Sequence, residues 1–403
     1  MPTIVSHPQV VETGSEVPTM IGLVADDFTG AADSAGVFTQ HGWTVRLLVD
    51  GVDADGIDTE TDAPAEPNTV LAIATGSRSL SQADAADVTA RAVRRLAAAG
   101  VQRLFVKVDS TMRGPVPAQV SGAMDAWGAT HPTPRAIVSP AFPAQGRTVV
   151  GGVVLVDGTP VDETASGRDP FAPVASSRLA DLLPGFARLP STGALPPLPA
   201  RTYADAQTDG DLDALTHLLD QDPAVVAVGS AGLASALARR WRHPAKPAVR
   251  HAVGGGIVVA VTSLHPVSAR QVSELAASAR PGVDIVTTPA APDRSPARVA
   301  DELARRVSAL VQAQDVGALV VVGGDGVASI LRDLRATAVS IDDVLEAGCP
   351  TGTIVGGVAH GVRIVSKSGG FGSPSTLIDL VSLLQSTPTS QNPPVPLTEG
   401  RTS

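Results

Sequence analysis

Apolar and polar positions along the chain alternate between two patterns. Short apolar runs at 21–25, 44–49, 69–74, 103–108, 136–139 and 224–228 read as strands, and runs at 257–261, 284–288, 318–322 and 363–365 read the same way. Between them, apolar residues recur with helical spacing: up to about Gln40 after the first strand, over 81–99 with Ser81 as N-cap, and over 209–220, 233–241, 266–279 and 297–313. Two more helices are expected. One ends near Arg335, and the other opens at Ser373-Pro374, with Pro at its first position, and ends near Leu384. Strands alternating with helices predict an α/β fold. The expected form is two domains, each with a mostly parallel sheet flanked by helices. An antiparallel excursion is expected near 149–161, because 151–161 alternates and carries the hairpin dipeptide Asp157-Gly158.

Punctuation divides this pattern. Residues 242–248 are basic, contain two prolines and read as a linker, so the domains are expected at 19–241 and 250–385. Residues 51–67 are acidic and Pro-containing and read as a surface loop; 163–202 are irregular and Pro-rich. Residues 1–18 and 386–403 read as disordered tails.

Composition narrows the picture. A chain of 403 residues exceeds one typical core. Aromatics make up only 3%, so the core must be Val, Leu, Ile and Ala, which suits parallel strands covered on both faces. A net charge of −10 argues against a nucleic-acid partner. No apolar run is long enough to span a membrane, and the first residues lack a signal pattern, so the cytoplasm is the expected compartment. The single Cys349 excludes an internal disulfide framework and reads as a packed small residue before Pro350. Lysine is rare, confined to Lys107, Lys246 and Lys367, and two of these sit in Gly/Ser/Asp-rich motifs.

The chemistry-bearing residues fall at strand ends. Residues 21–25 run directly into Asp26-Asp27, then a Thr29-Gly30 turn and an Ala-rich helix. One Asp explains a helix N-cap. Two carboxylates at the end of a buried strand point to a ligand, because strand ends are where open α/β sheets bind. The segment Lys107-Val108-Asp109-Ser110-Thr111-Met112-Arg113 places both charge signs and hydroxyls at another strand end. Lys107 and Asp109 share one side by the two-residue strand period, so a salt bridge between them is the plain alternative. The functional reading is a pocket for an anionic polyol. Lys107 and Arg78 bind a carboxylate, Ser110 and nearby backbone bind hydroxyls, and Asp26 or Asp27 takes a hydroxyl proton.

The second half offers Gly323-Gly324-Asp325-Gly326 and Lys367-Ser368-Gly369-Gly370-Phe371-Gly372 between strand and helix. Glycines let backbone approach an anion, and helix N-termini offer N–H groups to phosphate. Two such loops favour a nucleotide polyphosphate site, with Ser263 adding a hydroxyl at a third junction and His265 read as structural. No P-loop, protein-kinase set or Rossmann fingerprint is present. The layout is that of a two-domain small-molecule kinase. A non-catalytic sensor of an acidic metabolite or nucleotide is the rival class, but it should avoid Asp26-Asp27. A dehydrogenase or aldolase-like enzyme would need a Rossmann fingerprint or Lys107 as a Schiff-base lysine.

Six segments resemble the four-carbon acid sugar kinases: 25–31, 107–114, 140–148, 229–234, Gly323-Gly324-Asp325 and 367–372, in order and over roughly 21–378. The resemblance implies an N-terminal substrate domain, a C-terminal nucleotide domain, and ATP-dependent phosphorylation of a tetronate at its 4-hydroxyl with Mg²⁺. It implies substrate contacts at Asp26, Arg78, Lys107, Val108, Asp109, Ser110 and Arg113. It implies ATP contacts at Ser263, Gly323, Gly324, Asp325, Gly326, Lys367, Gly369, Gly370, Phe371 and Gly372. The Asp109–Gly114 motif resembles threonate and erythronate kinases more than 3-oxo-tetronate kinases, which remain the alternative. Where the family usually has Thr, this chain has Gly326, so a hydroxyl to the nucleotide is expected to be missing. The second half is also short for the family. A homodimer is the expected assembly.

Overall fold

The computed structural model describes residues 19–49, 67–169, 172–190, 198–247, 249, 251–288, 296–346 and 348–385. Both predicted tails and most of the acidic loop at 51–67 lie outside the described residues. The α/β expectation is met by two compact units. The first holds residues up to Lys246 together with Thr337–Val344; the second holds Pro247–Ala336 and the residues from Leu345 onward.

In the first unit, a sheet runs through Thr44–Leu48, Thr69–Ala74, Met20–Ala25, Arg103–Lys107, Val225–Gly229, Arg135–Ser139, Arg201–Tyr203 and Ala187–Arg188, all parallel. The strand Ala338–Glu346 joins it antiparallel to Thr44–Leu48. That strand was absent from the sequence-based element pattern, and sequence order had assigned its residues to the other half. Its Asp342-Asp343 pair breaks the apolar alternation that marks a strand.

Register decides where the chemistry sits. Ala74, Ala25 and Lys107 lie in one row, as do Lys107, Gly229 and Ser139. The residues that follow each of them therefore leave the sheet at one edge, its carboxyl edge. The helix Phe28–Thr39 starts earlier than expected, with Asp27 as N-cap; Thr29-Gly30 belongs to its first turn and is not a preceding turn. The predicted antiparallel excursion forms as Arg147–Val150, Val153–Val156 and Thr159–Pro160, and Asp157 and Gly158 adopt the positive φ that the tight hairpin turn needs.

The second unit carries Val283–Thr287, Gly256–Val261, Val316–Val322 and Arg363–Lys367 as parallel neighbours, and Cys349–Val355 antiparallel to the last. Ile257, Val259 and Val261 pack with Ala318, Val320, Val322 and the helix residues Leu377, Leu380 and Leu384. Their alternates Val258, Ala260, Leu319 and Val321 are equally buried on the other face. Each such Val, Leu or Ile side chain contributes about 1.5–3 kcal/mol by leaving water, which is why an aliphatic core suffices with so few aromatics. The helix Thr376–Gln385 begins two residues after Pro374, so this proline sits in the turn before the helix and not at its first position. Among the described residues, no helix is long and apolar enough to cross a membrane.

Candidate active site

The carboxyl edge of the first unit gathers Asp26, Asp27, Arg78, Lys107, Asp109 and Arg113. Asp26 is 2% exposed. Arg78 grips it with two parallel bonds, Nε to Oδ2 at 2.7 Å and Nη2 to Oδ1 at 3.0 Å. The third guanidinium nitrogen, Nη1, lies 3.0 Å from Asp27 Oδ2. Lys107 Nζ stands 3.7 Å from Asp26 Oδ1. The plain Lys107–Asp109 salt bridge is therefore not what forms. Asp109 is held by Arg113, through Nε and Nη2 at 2.9 Å each, and by the Thr111 hydroxyl. Arg113 Nη1 continues to Asp169 Oδ2 at 3.0 Å, a residue that sequence reasoning missed because its contact spans 56 positions.

The two adjacent acids have divided their work. Asp27 caps its helix, accepting from the Gly30 amide at 2.9 Å and the Thr29 hydroxyl at 3.0 Å. Asp26 serves no backbone donor of a helix, so capping does not account for it. Gly30 is required by the cluster itself: a Cβ there would run into both Asp27 Oδ1 and the Lys107 ammonium.

Electrostatics follow from this packing. Burial would raise the Asp27 carboxyl, but the charges of Arg78 and Lys107 outweigh it and hold the group below the ordinary carboxylate value. Burial also opposes ionisation of Asp109, and Arg78 and Arg113 overcome it and hold the group well below the ordinary carboxylate value. The Arg78 guanidinium, despite burial, is fixed in its charged form by Asp27, Asp26 and Asp109. Arg78 and Lys107, expected to be open for a substrate carboxylate, thus already face protein carboxylates. Val108 and Ser110 follow Lys107 at the same edge, where the Val108 amide donates to Gly229 O at 2.9 Å.

The predicted glycine loops of the second unit also share one edge. Thr287, Val261, Val322 and Lys367 form a row, and Thr262, Gly323 and Ser368 follow three of them. Gly323, at φ +113°, turns into the helix Gly324–Asp333. The loop after Lys367 is tied to the helix Pro266–Ala277 by Ser268 Oγ to Gly369 O at 2.8 Å, and by Gln271 Nε2 to the carbonyls of Phe371 and Ser373 at 3.0 and 2.7 Å. A Cβ on Gly369 would collide with the Ser263 side chain, so the loop approaches the strand end as closely as glycine allows. Lys367 is fully buried and donates to Ser368 O at 2.9 Å; burial lowers its pKa. His265 is structural as expected: its Nδ1 accepts from the Val267 amide and caps the following helix. The sole cysteine, Cys349, is buried.

A family model described as a sugar-binding N-terminal domain matches residues 21–191, and one described as a nucleotide-binding C-terminal domain matches residues 215–377. The chain is 36% identical to a D-threonate kinase of Bordetella bronchiseptica, over 89% of this chain and 96% of that protein. It is 24% identical to a D-erythronate kinase of Heliobacterium modesticaldum, over 90% of this chain and 96% of that protein. Among solved structures, one from Salmonella typhimurium LT2 described as a putative tRNA synthase shares the fold, with a TM-score of 0.72 at 21% identity, covering 89% of this chain and 98% of that one. The chain belongs to the four-carbon acid sugar kinase family.

Within this acid sugar kinase, the glycine at position 326 has a steric reason. A Cβ there would strike Oγ1 and Cγ2 of Thr262, whose hydroxyl donates to Val322 O at 3.1 Å. A hydroxyl thus already stands beside Gly326, supplied by the neighbouring strand end. Restoring the family's usual Thr is therefore expected to harm the protein. Gly326→Thr alone should cost about 1–3 kcal/mol by overpacking, and Thr262→Ala combined with it should recover most of that loss. Thermal melts of both variants check this.

Proposed function

We propose that the protein is an ATP-dependent kinase that transfers the γ-phosphoryl group to the 4-hydroxyl of a four-carbon sugar acid, with D-threonate as the first candidate. The observation that carries this reading is the Asp26–Arg78–Asp27 cluster at the carboxyl edge of the first unit's sheet, in a chain of this family. D-threonate comes first because a relative of that name is 36% identical to the chain, against 24% for the D-erythronate kinase.

The residues fit the parts that phosphoryl transfer needs, which are positioning and charge. Asp26 is the acceptor for the substrate hydroxyl, since Asp27 is engaged as a helix cap. Arg78 and Lys107 hold this carboxylate in place. In a loose transition state its work is chiefly to orient the hydroxyl and take the proton late. Val108, Ser110 and the adjacent backbone line the hydroxyl-binding edge. Ser263, Gly323, Gly324, Asp325 and Gly326 form one side of the ATP cradle. Lys367, Gly369, Gly370, Phe371 and Gly372 form the other, where Gly369 packs against the Ser263 side chain as closely as glycine allows. When bound, Mg²⁺ neutralises the phosphate oxygens. It usually takes only one or two carboxylates besides phosphate and water, and Asp325, in the first turn of the helix Gly324–Asp333, would supply one. Dependence on ATP implies a cytoplasmic enzyme, and a homodimer is its expected assembly.

A coupled ATP-consumption assay with Mg²⁺ against D- and L-threonate, D- and L-erythronate and 3-oxo-tetronate tests the reading. Turnover is expected with D-threonate. Silence across the whole panel would overturn it, and preference for another member would keep the kinase but change the substrate.

A further inference from the structure

We propose that Arg147 binds the carboxylate of the sugar acid, an inference that rests on the kinase reading above. The argument begins with charge. Arg78 faces Asp26 and Asp27, Lys107 faces Asp26, and Arg113 faces Asp109 and Asp169. Three cations meet four carboxylates, so the cluster has no surplus positive charge to offer an acid. A substrate carboxylate entering such a site without a further cation would meet net repulsion and lose its hydration.

Arg147 is a cation of this edge that no carboxylate engages. Among the described residues it has no acidic partner within salt-bridge distance, and its guanidinium meets the carbonyl of Gln145. Its position follows from the register. Ser139 lies beside Gly229, and Gly229 beside Lys107, so the chain that leaves Ser139 emerges at the edge where Lys107 ends. That chain turns through Phe142, whose backbone pairs with Arg147 in both directions, N to O at 2.7 and 3.1 Å. Ala141 and Phe142 press on Gly232 at the start of the helix Ala231–Arg240, where Ser230 Oγ donates to Ala141 O at 2.8 Å. The small residues of the 229–232 segment are thereby explained: they let the Arg147 turn sit against the strand ends. Along Arg147–Val150, Arg147 shares its face with Val149, which is 0% exposed, while Val150 on the other face is exposed. Arg147 therefore projects on the inward side of the strand. A planar guanidinium there suits two-pronged recognition of a carboxylate.

The test is steady-state kinetics of Arg147→Ala and Arg147→Lys with D-threonate and with D-threitol, the neutral polyol that lacks the carboxylate. For Arg147→Ala, KM for D-threonate should rise about 10- to 100-fold, the size of a lost charge-assisted bond. Its kcat, its KM for ATP and its behaviour toward D-threitol should stay near wild type. Arg147→Lys keeps the charge without the fork and should show a smaller rise, which serves if the alanine variant does not fold. An unchanged KM for D-threonate, or equal losses on acid and polyol, would overturn the assignment. Calorimetric titration with each sugar acid of the panel separates the two readings. Binding by the wild type without turnover of any of them, abolished in Arg147→Ala, would sink the kinase reading and uphold Arg147. Absence of binding to every acid of the panel would sink both.

Discussion

Asp26→Asn is expected to lower kcat by about a hundredfold or more, the usual contribution of a positioned acid–base group. The substitution keeps the shape of a side chain that is 2% exposed but removes the charge proposed to meet the substrate hydroxyl. Arg78 would keep Asp27 at 3.0 Å and Asp109 at 3.9 Å, so its guanidinium is not stranded. The stability loss should therefore stay near that of one charged hydrogen bond, about 1.5–3 kcal/mol. A thermal melt with the coupled assay separates the two effects. A folded variant with near wild-type turnover would remove Asp26 from the mechanism. Asp27→Asn is the control: Asn caps helices about as well as Asp, so its helix should persist while the pairing with Arg78 weakens.

Arg78→Met has the larger structural effect. Arg78 is the common partner of Asp26, Asp27 and Asp109, and replacing it leaves buried carboxylates without their main compensating charge. Breaking a buried pair from one side costs about 3–5 kcal/mol, so the variant should melt far below the wild type and show no turnover. The pH dependence gives a specific signature. In the wild type, Asp27 and Asp109 are depressed, so their stabilisation is present above the unfolded carboxylate pKa and fades only as pH falls through the folded values. Without Arg78, less charge offsets the burial of Asp27 and Asp109, so both carboxyl pKa values move up from their wild-type positions. The variant should then be most destabilised near pH 7 and should close part of its gap to the wild type as pH drops toward about 4. Urea unfolding at both pH values reads this directly. A gap that stays constant or widens on acidification would show that the carboxylates are compensated elsewhere.

The elements with strong local signals were legible before any coordinates. The helix Gln82–Ala98 starts behind Ser81, whose hydroxyl accepts from the Asp84 amide, and Asp209–Asp220 opens with a full capping box at Thr208. Several segments were not legible, the strands Arg201–Tyr203 and Cys349–Val355 among them. The helix Val116–Trp127 follows Pro115 without a side-chain cap, and the strand Ala338–Glu346 pairs with residues far away in sequence. Candidate residues were legible as types at strand ends, because a parallel sheet delivers every strand end to one edge. Their pairings were not. The two-residue period puts Lys107 and Asp109 on one side, yet strand geometry ends at Lys107, and the turn at Asp109–Arg113 forms its own ion pair.

Sequence by itself determined the α/β class, the aliphatic core, the two glycine-loop junctions and the acid pair at 26–27, because periodicity, glycine and charge are local properties of a chain. Tertiary structure decided which acid caps a helix and which is gripped by Arg78, why glycine stands at positions 30 and 326, and that Asp169 joins the cluster through Arg113. It also decided that the strand at 338–346 belongs with residues nearly three hundred positions earlier. These outcomes depend on what packs within a few ångströms of a side chain, and sequence separation carries no record of that distance.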